Sequence, residues 1–395
     1  MVKRLSYSKQ WISEEDIQAV IRVLKSKRIT QGEEIRFFER DICKYTGAKF
    51  CTCVSNGTAA LYLAARALGV KEGDLVLTTP ITFCATANAF ALCGARIDFI
   101  DIDPETLQIS PSQIELYIKQ TGIVPTVVIP VDFYGISADL VKIHRLSKDY
   151  NFKVVEDAAH SIGSSYSYNG EDIFCGACRH SDLSIFSFHP VKNITSAEGG
   201  AVLTNDETLF RCISLLANHG IERDPNNFEF FSKDQIWPYE LHELSLNFRL
   251  SDIHAALGRS QLSRIDLFKR RKQRLFRAYR ERLFELEEKE ILKLPIWPKE
   301  QDPCFHLFII RLGTKSPINR DELFKGLTKY GIYPQVHYWP LHLHPYYRKV
   351  YGYKEGKCPI AEEFAKTCLS LPFFASMEIE DVNFVCATLK KLLLS

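Results

Sequence analysis

Lys192 stands in an unusual setting for a lysine, inside the stretch SFHPVKNITSAEGGAVLTN (187–205). An apolar run, LSIFSF from Leu183, stops at a His-Pro break, and a second apolar run, AVLT, follows a double glycine. Solvated ammonium groups belong on exposed faces. Partial burial between two such runs lowers the pKa of a lysine and frees its lone pair for nucleophilic amine chemistry.

Two other stretches supply complementary chemistry. Ser55-Asn56-Gly57-Thr58 precedes the helical run AALYLAARALG. A helix starting at Gly57 and Thr58 offers unpaired backbone N–H groups, a hydroxyl and the positive end of the helix dipole, which together suit a phosphate. The same residues also make an ordinary N-cap. KVVEDAAHSIG closes a buried strand with Glu156 and Asp157, and His160 follows three residues on. In open α/β sheets ligands gather at the carboxyl ends of strands. A carboxylate there can keep a pyridine nitrogen protonated, turning the ring into an electron sink; a helix cap or a structural ion pair would use the same side chain. Ser187 and Lys192 come 30 and 35 positions after Asp157, with one strand between. An amine, a carboxylate and a phosphate cradle are the three anchors of pyridoxal 5′-phosphate (PLP).

The elements that must position these groups read as an α/β pattern. Helices are expected around 14–27 and 34–45. Strands are expected at LVLTT (75–79), IDFIDI (97–102), TVVIPVDF (126–133), KVVEDA (153–158), LSIFSF (183–188) and GAVLTN (200–205). Helical segments at 58–69, 83–93 and 138–150 separate them, which indicates a largely parallel sheet covered on both faces. The charged stretch from Arg264 to Glu290 carries leucines and aromatics at helical spacing and reads as a long amphipathic connecting helix. Beyond it, FHLFIIRL (305–312), a helix at 319–330, IYPQVHY (332–338) and a helix near 378–393 suggest a small α+β domain. The expected division is an N-terminal segment (1–30) contributing to the site, a large α/β domain (31–262), and a connecting helix with the small domain (263–395).

Composition narrows the function classes. Lys plus Arg number 50 against 48 Asp plus Glu in 395 residues, a balance that argues against a nucleic-acid binder. The apolar runs are too short or too charged for a bilayer, and MVKRLSYSKQWISEED has no apolar signal core, so a cytoplasmic protein without a membrane partner is expected. Cys175-Gly-Ala-Cys178 with His180 nearby suggests zinc in isolation. A second pair, Cys51 and Cys53, lies far away in sequence, so free thiols and no metal are expected. His342 and His344 read as packing or substrate residues. No GxGxxG or P-loop is present.

In order along the chain, SNGTAAL, TTPITFCATANAF, VVEDAAHSIGS, SIFSFHPVKNITSAEGGAVLTN and NFRLSDIHAALGRSQL resemble the nucleotide-sugar aminotransferases. The likeness covers nearly the whole chain. It implies the PLP-dependent aspartate-aminotransferase fold, with a mostly parallel seven-stranded sheet between helices. It further implies that Lys192 carries PLP as an imine, passing through pyridoxamine phosphate in the half-reaction. Asp157 would pair with the ring nitrogen, with His160 beside the ring. Asn56, Gly57, Thr58 and Ser187 would hold the phosphate, Phe83 would stack on the cofactor, and Asn247 would reach the cofactor of a second copy in a homodimer. Tyr7, the run Lys27, Arg28, Ile29 and Thr30, and the run Gln335, Val336, His337 and Tyr338 match segments lining a sugar-nucleotide site. Gly57, Ser187 and Asn247 also border that site, and Arg249 is a further basic candidate for a diphosphate or a donor carboxylate.

The opening YS, SKRITQG, SFHPVK and QVHYWPLH point to the pseudaminic acid branch of that family. There, L-glutamate would give its amino group to C4 of a UDP-linked 4-keto-6-deoxy-N-acetyl-hexosamine, forming a UDP-4-amino-4,6-dideoxy-N-acetyl-β-L-altrosamine. Bacillosamine-, perosamine- or 4-keto-pentose-type substrates, and a non-catalytic PLP-binding regulator on the same fold, remain alternatives.

Overall fold

The computed structural model describes residues 4–394. Its centre is a seven-stranded sheet built from β1 (Phe50–Val54), β2 (Leu75–Thr78), β3 (Arg96–Phe99), β4 (Val127–Ile129), β5 (Lys153–Asp157), β6 (Leu183–Ser187) and β7 (Gly200–Thr204). The strand order is β1-β7-β6-β5-β4-β2-β3. The block from β3 to β6 is parallel throughout, and β7 runs antiparallel to both its neighbours, β6 and β1. The reversal has a simple cause. Parallel neighbours need a crossover, usually a helix, and the segment between β6 and β7 contains none. It folds back as a loop, with Gly200 in register opposite Ser187.

That topology fixes where chemistry is possible. The carboxyl ends of β1, β5 and β6 and the amino end of β7 meet at one edge of the sheet, together with the Lys192 loop. Strand β1 was not expected from the sequence. Its FCTCV run is short and carries Thr52 between two cysteines, yet it is almost wholly buried, with Cys51 and Cys53 inside the core. With it the strand count reaches seven.

The long helix Ile265–Glu288 follows, burying Phe268, Lys272, Leu275, Phe276, Tyr279, Leu283 and Leu286 at helical intervals. A three-stranded antiparallel sheet (Leu292–Lys293, Phe308–Leu312, Cys368–Leu371) then packs with the helices Arg320–Lys329 and Ile379–Leu394. One continuous apolar cluster joins it to the large sheet, running from Val54 and Ile129 through Tyr279 and Phe308 to Leu389. The expected strand at 332–338 is mostly irregular. Only Ile332–Tyr333 forms a strand, in parallel with Leu5–Ser6, while Gln335 bridges singly to Ser370. Between β7 and the long helix a two-stranded arm, Ile221–Glu222 with Glu240–Leu241, carries an apolar tip. The Glu240 carboxylate orders that tip by accepting the N–H groups of Glu229, Phe230 and Phe231 at 2.7–2.8 Å. No helix among the described residues is long and apolar enough to cross a membrane.

Candidate active site

The sheet edge opens into a cavity of about 490 Å³. Lys192, Asp157, His160, Ser187 and Asn56–Thr58 all line it. Each arrives by a different local route. Asn56 caps the helix Gly57–Ala67, its side chain accepting the Ala59 N–H at 2.8 Å. Gly57 and Thr58 occupy the first turn, where backbone N–H groups have no helical acceptor and point outward. The helix start is pressed against its neighbours: a Cβ on Gly57 would lie 3.0 Å from Ser187 Cβ, and one on Gly200 only 2.5 Å from the Asn56 carbonyl oxygen. Bare backbone here makes a close-fitting anion cradle.

Asp157 ends β5 almost fully buried. Its carboxylate accepts the Thr86 hydroxyl at 2.6 Å and the Ala159 N–H at 3.2 Å. Since Thr86 spends its proton on Asp157, Thr82 must donate to Thr86 at 2.8 Å, giving a short hydroxyl relay. Burial raises the Asp157 pKa, and the Thr86 and Ala159 donors and the Lys192 charge work against that rise. Lys192 is partly buried, and desolvation brings its ammonium down to about 8, with Asp157 opposing. The amine is thus kept close to its neutral, reactive form.

Three imidazoles complete this wall. His160 sits 3.4 Å from the Tyr338 hydroxyl and its Nδ1 has no partner. His306 packs on it with ring centroids 4.3 Å apart, and His337 donates to or accepts from Ser370 Oγ at 2.8 Å. Burial lowers all three pKa values, that of His337 to about 3, and the Lys192 charge adds to this, for His306 after its neighbour His160. They are neutral at physiological pH. Phe83 stands at the lip, 57% exposed, with its ring 6.5 Å from Tyr338. Tyr7, Gln335 and Val336 border the same space.

Thr82, Thr86, His306 and Glu198 also line the cavity and were not singled out in the sequence. Thr86 carried one usable signal, a hydroxyl in an otherwise alanine-rich helix, ATANAFA. His306 carried none, because its run reads as a plain strand.

Other expected residues lie elsewhere in the single chain. Lys27 and Arg28 border a separate open cavity with Arg36 and Phe37, and Ile29 and Thr30 are exposed beside them. Asn247 is exposed, its side chain accepting the Arg249 N–H, and the Arg249 guanidinium binds Asn218. Of the zinc candidates, His180 is engaged with the Tyr166 hydroxyl at 2.7 Å, and Cys175 and Cys178 are buried. Cys175 instead lies beside the buried carboxyls of Asp132 and Glu156.

The cavity suits PLP on its own terms. It joins an amine of lowered pKa, a buried carboxylate and a glycine-lined phosphate cradle within one volume, with an aromatic ring at the lip.

Comparison with known proteins agrees. The UDP-4-amino-4,6-dideoxy-N-acetyl-β-L-altrosamine transaminase of Campylobacter jejuni (serotype O:23/36, strain 81-176) is 36% identical over 389 residues, 98% of this chain and 97% of its own. Helicobacter pylori PseC, an aminotransferase of pseudaminic acid biosynthesis, superposes with a TM-score of 0.87 at 28% identity, covering 99% of this chain and 100% of its own. Spr1654 of Streptococcus pneumoniae, solved in a PLP form, gives a TM-score of 0.87 at 26% identity over 99% of each chain. Residues 10–390 match the model of the DegT/DnrJ/EryC1/StrS aminotransferases. With its lysine loop, buried carboxylate and cradle set on that shared frame, this chain belongs to the DegT/DnrJ/EryC1/StrS aminotransferase family and is a PLP-dependent sugar aminotransferase.

Proposed function

We propose that the chain moves an amino group from L-glutamate to C4 of a UDP-linked 4-keto-6-deoxy-N-acetyl-hexosamine, giving the altrosamine product of the pseudaminic acid route. The reading is carried by the convergence of Lys192, Asp157 and the Asn56–Thr58 cradle on one cavity. Identity of 36% to the Campylobacter transaminase along nearly the full length supports the substrate.

Bound PLP supplies a carbonyl that accepts the donor's amino group and a ring that takes up the charge left at the donor α-carbon. The protein's residues do the rest. The Gly57 and Thr58 N–H groups with the Ser187 hydroxyl hold the phosphate. Asp157, kept anionic by its donors, holds the protonated ring nitrogen. His160, being neutral, lies beside the ring without adding a competing charge. Lys192 would anchor the aldehyde carbon, and its Nζ, when free, is the base placed to hold and move a proton at the donor α-carbon. Such a base, already tethered beside the reacting carbon, needs no encounter step. Tyr7 and the Gln335–Tyr338 segment, which line the same cavity, face the sugar.

The same reading includes a homodimer. Asn247 and the Lys27–Thr30 run lie outside the Lys192 cavity of their own chain, as residues serving a second copy would. The arm supports this: Phe230, Ile236 and Trp237 are 86%, 100% and 71% exposed on a tip that Glu240 holds in shape. Monomers rarely keep such a patch in water.

Lys192→Ala should lose turnover by roughly 10⁴-fold or more and lose the visible absorbance of the lysine-linked cofactor. Retention of the wild-type rate would refute the lysine's role. The substrate is tested separately, with glutamate and a panel of UDP- and dTDP-linked keto sugars followed by NMR of the product. A dTDP-linked or 3-keto substrate turned over faster than the UDP-4-keto hexosamine would overturn that part.

A further inference from the structure

Lys272 is a buried cation that the reaction above does not use. It lies on the long helix Ile265–Glu288, 3% exposed, and no carboxylate among the described residues is within ion-pair distance of it. Burying an ammonium without a counter-ion costs several kcal/mol unless fixed dipoles replace the lost water. Among the described residues, its ammonium hydrogen-bonds to Asn193 Oδ1 at 2.7 Å. Asn193 follows Lys192 directly in the chain and is itself buried.

The other end of the Asn193 amide ties down two further segments of the site. Nδ2 donates to the carbonyl oxygens of His160 at 3.2 Å, Ile162 at 3.1 Å and Cys304 at 2.7 Å. The first two belong to the turn after Asp157; the third lies two residues before His306. An inverted amide would aim Oδ1 at three carbonyl oxygens and its NH₂ at an ammonium. The cation therefore leaves the amide one orientation. Lys272 borders a cavity of about 20 Å³ behind the lysine loop, roughly room for a water molecule. It does not line the main cavity.

We propose that Lys272 is the positioning residue of this active site: its ammonium locks the Asn193 amide, and that amide fixes the Lys192 loop against the Asp157–His160 turn and the His306 segment. The proposal rests on Lys192 carrying the cofactor for its catalytic consequence, but the lock is a property of the protein alone.

The lock is read first in the full chain before cofactor loading, by hydrogen exchange of peptides spanning 188–196. Lys272→Met should raise exchange in that segment well above wild type while leaving β2 to β4 protected, and Lys272→Arg, which keeps a charged donor, should restore much of the protection. With cofactor bound, Lys272→Met should lower kcat by about 10²-fold with little change in KM, since small misplacements at a reacting centre cost about that much. The visible circular dichroism of the cofactor should fall with it. Because Lys272 acts through Asn193, the double variant with Asn193→Ala should be no worse than Asn193→Ala alone. If Lys272→Met folds poorly, Lys272→Gln serves the same comparisons. Unchanged exchange in 188–196, or losses that multiply in the double variant, would overturn the lock. Borohydride labelling of the wild-type enzyme reads the underlying assignment independently: label at Lys192 supports it, whereas label at Lys272 makes Lys272 an anchor and overturns the positioning role.

Discussion

Asp157 shows how one residue's environment sets its use. Burial alone would neutralise the carboxyl, and an uncharged acid could not hold a ring proton. Two donors and the Lys192 charge resist that, and the Thr86 hydroxyl at 2.6 Å is the shorter of the two hydrogen bonds. Thr86→Val removes that donor and breaks the relay from Thr82. The Asp157 pKa should rise further, so the carboxylate is lost at a higher pH as the solution is acidified. The acid limb of the kcat/KM profile should therefore move upward in pH, with the alkaline limb in place. An acid limb that stays put, or moves down, would show that Thr86 does not support the anion. Asp157 and Lys192 were legible in the sequence because each sits at the end of a buried run. Thr86 and His306 were not, because which face of a short helix or segment meets the cavity is decided by packing between distant parts of the chain.

At the scale of elements, the decisive feature is that β7 runs against the rest. An antiparallel return needs no covering helix, so the loop between β6 and β7 is free to carry Lys192 along the sheet edge. The same geometry brings Gly200 beneath the cradle, where a Cβ would meet the Asn56 carbonyl oxygen at 2.5 Å and the Gly57 nitrogen at 2.8 Å. Gly200→Ala should destabilise the fold by about 1–3 kcal/mol in a urea melt and weaken cofactor binding more than that loss alone explains. Binding at wild-type strength would mean that the cradle tolerates a shift. Six of the seven strands could be read from the sequence because strands buried on both faces appear as unbroken β-branched and leucine runs. Strand β1 escaped because FCTCV has neither alternation nor a long apolar run. The segment 332–338 misled for the opposite reason: beyond Tyr333 its apolar and aromatic residues border the cavity and the core without continuing the strand.

For the whole molecule, the arm between β7 and the long helix is the feature least consistent with a solitary chain. Its apolar tip is ordered by Glu240 yet left exposed among the described residues. If the proposed homodimer uses this tip, Ile236→Asp combined with Trp237→Ser should give a monomer in sedimentation velocity and strip most of the activity, while the melting transition stays cooperative. A dimer that survives both changes would place the contact elsewhere.

The amino-terminal strand has a consequence for how the enzyme is made. Leu5 and Ser6 pair with Ile332 and Tyr333, the Tyr7 carbonyl accepts the Phe373 N–H at 2.9 Å, and Ser8 Oγ reaches the Val191 carbonyl at 3.2 Å. Leu5 and Ser6 therefore find their partners only once Ile332 and Tyr333 have been made, on the order of half a minute later at about 5–20 residues per second. Until that segment is made there is no finished wall behind which to trap a reactive aldehyde, so vitamin capture follows its synthesis.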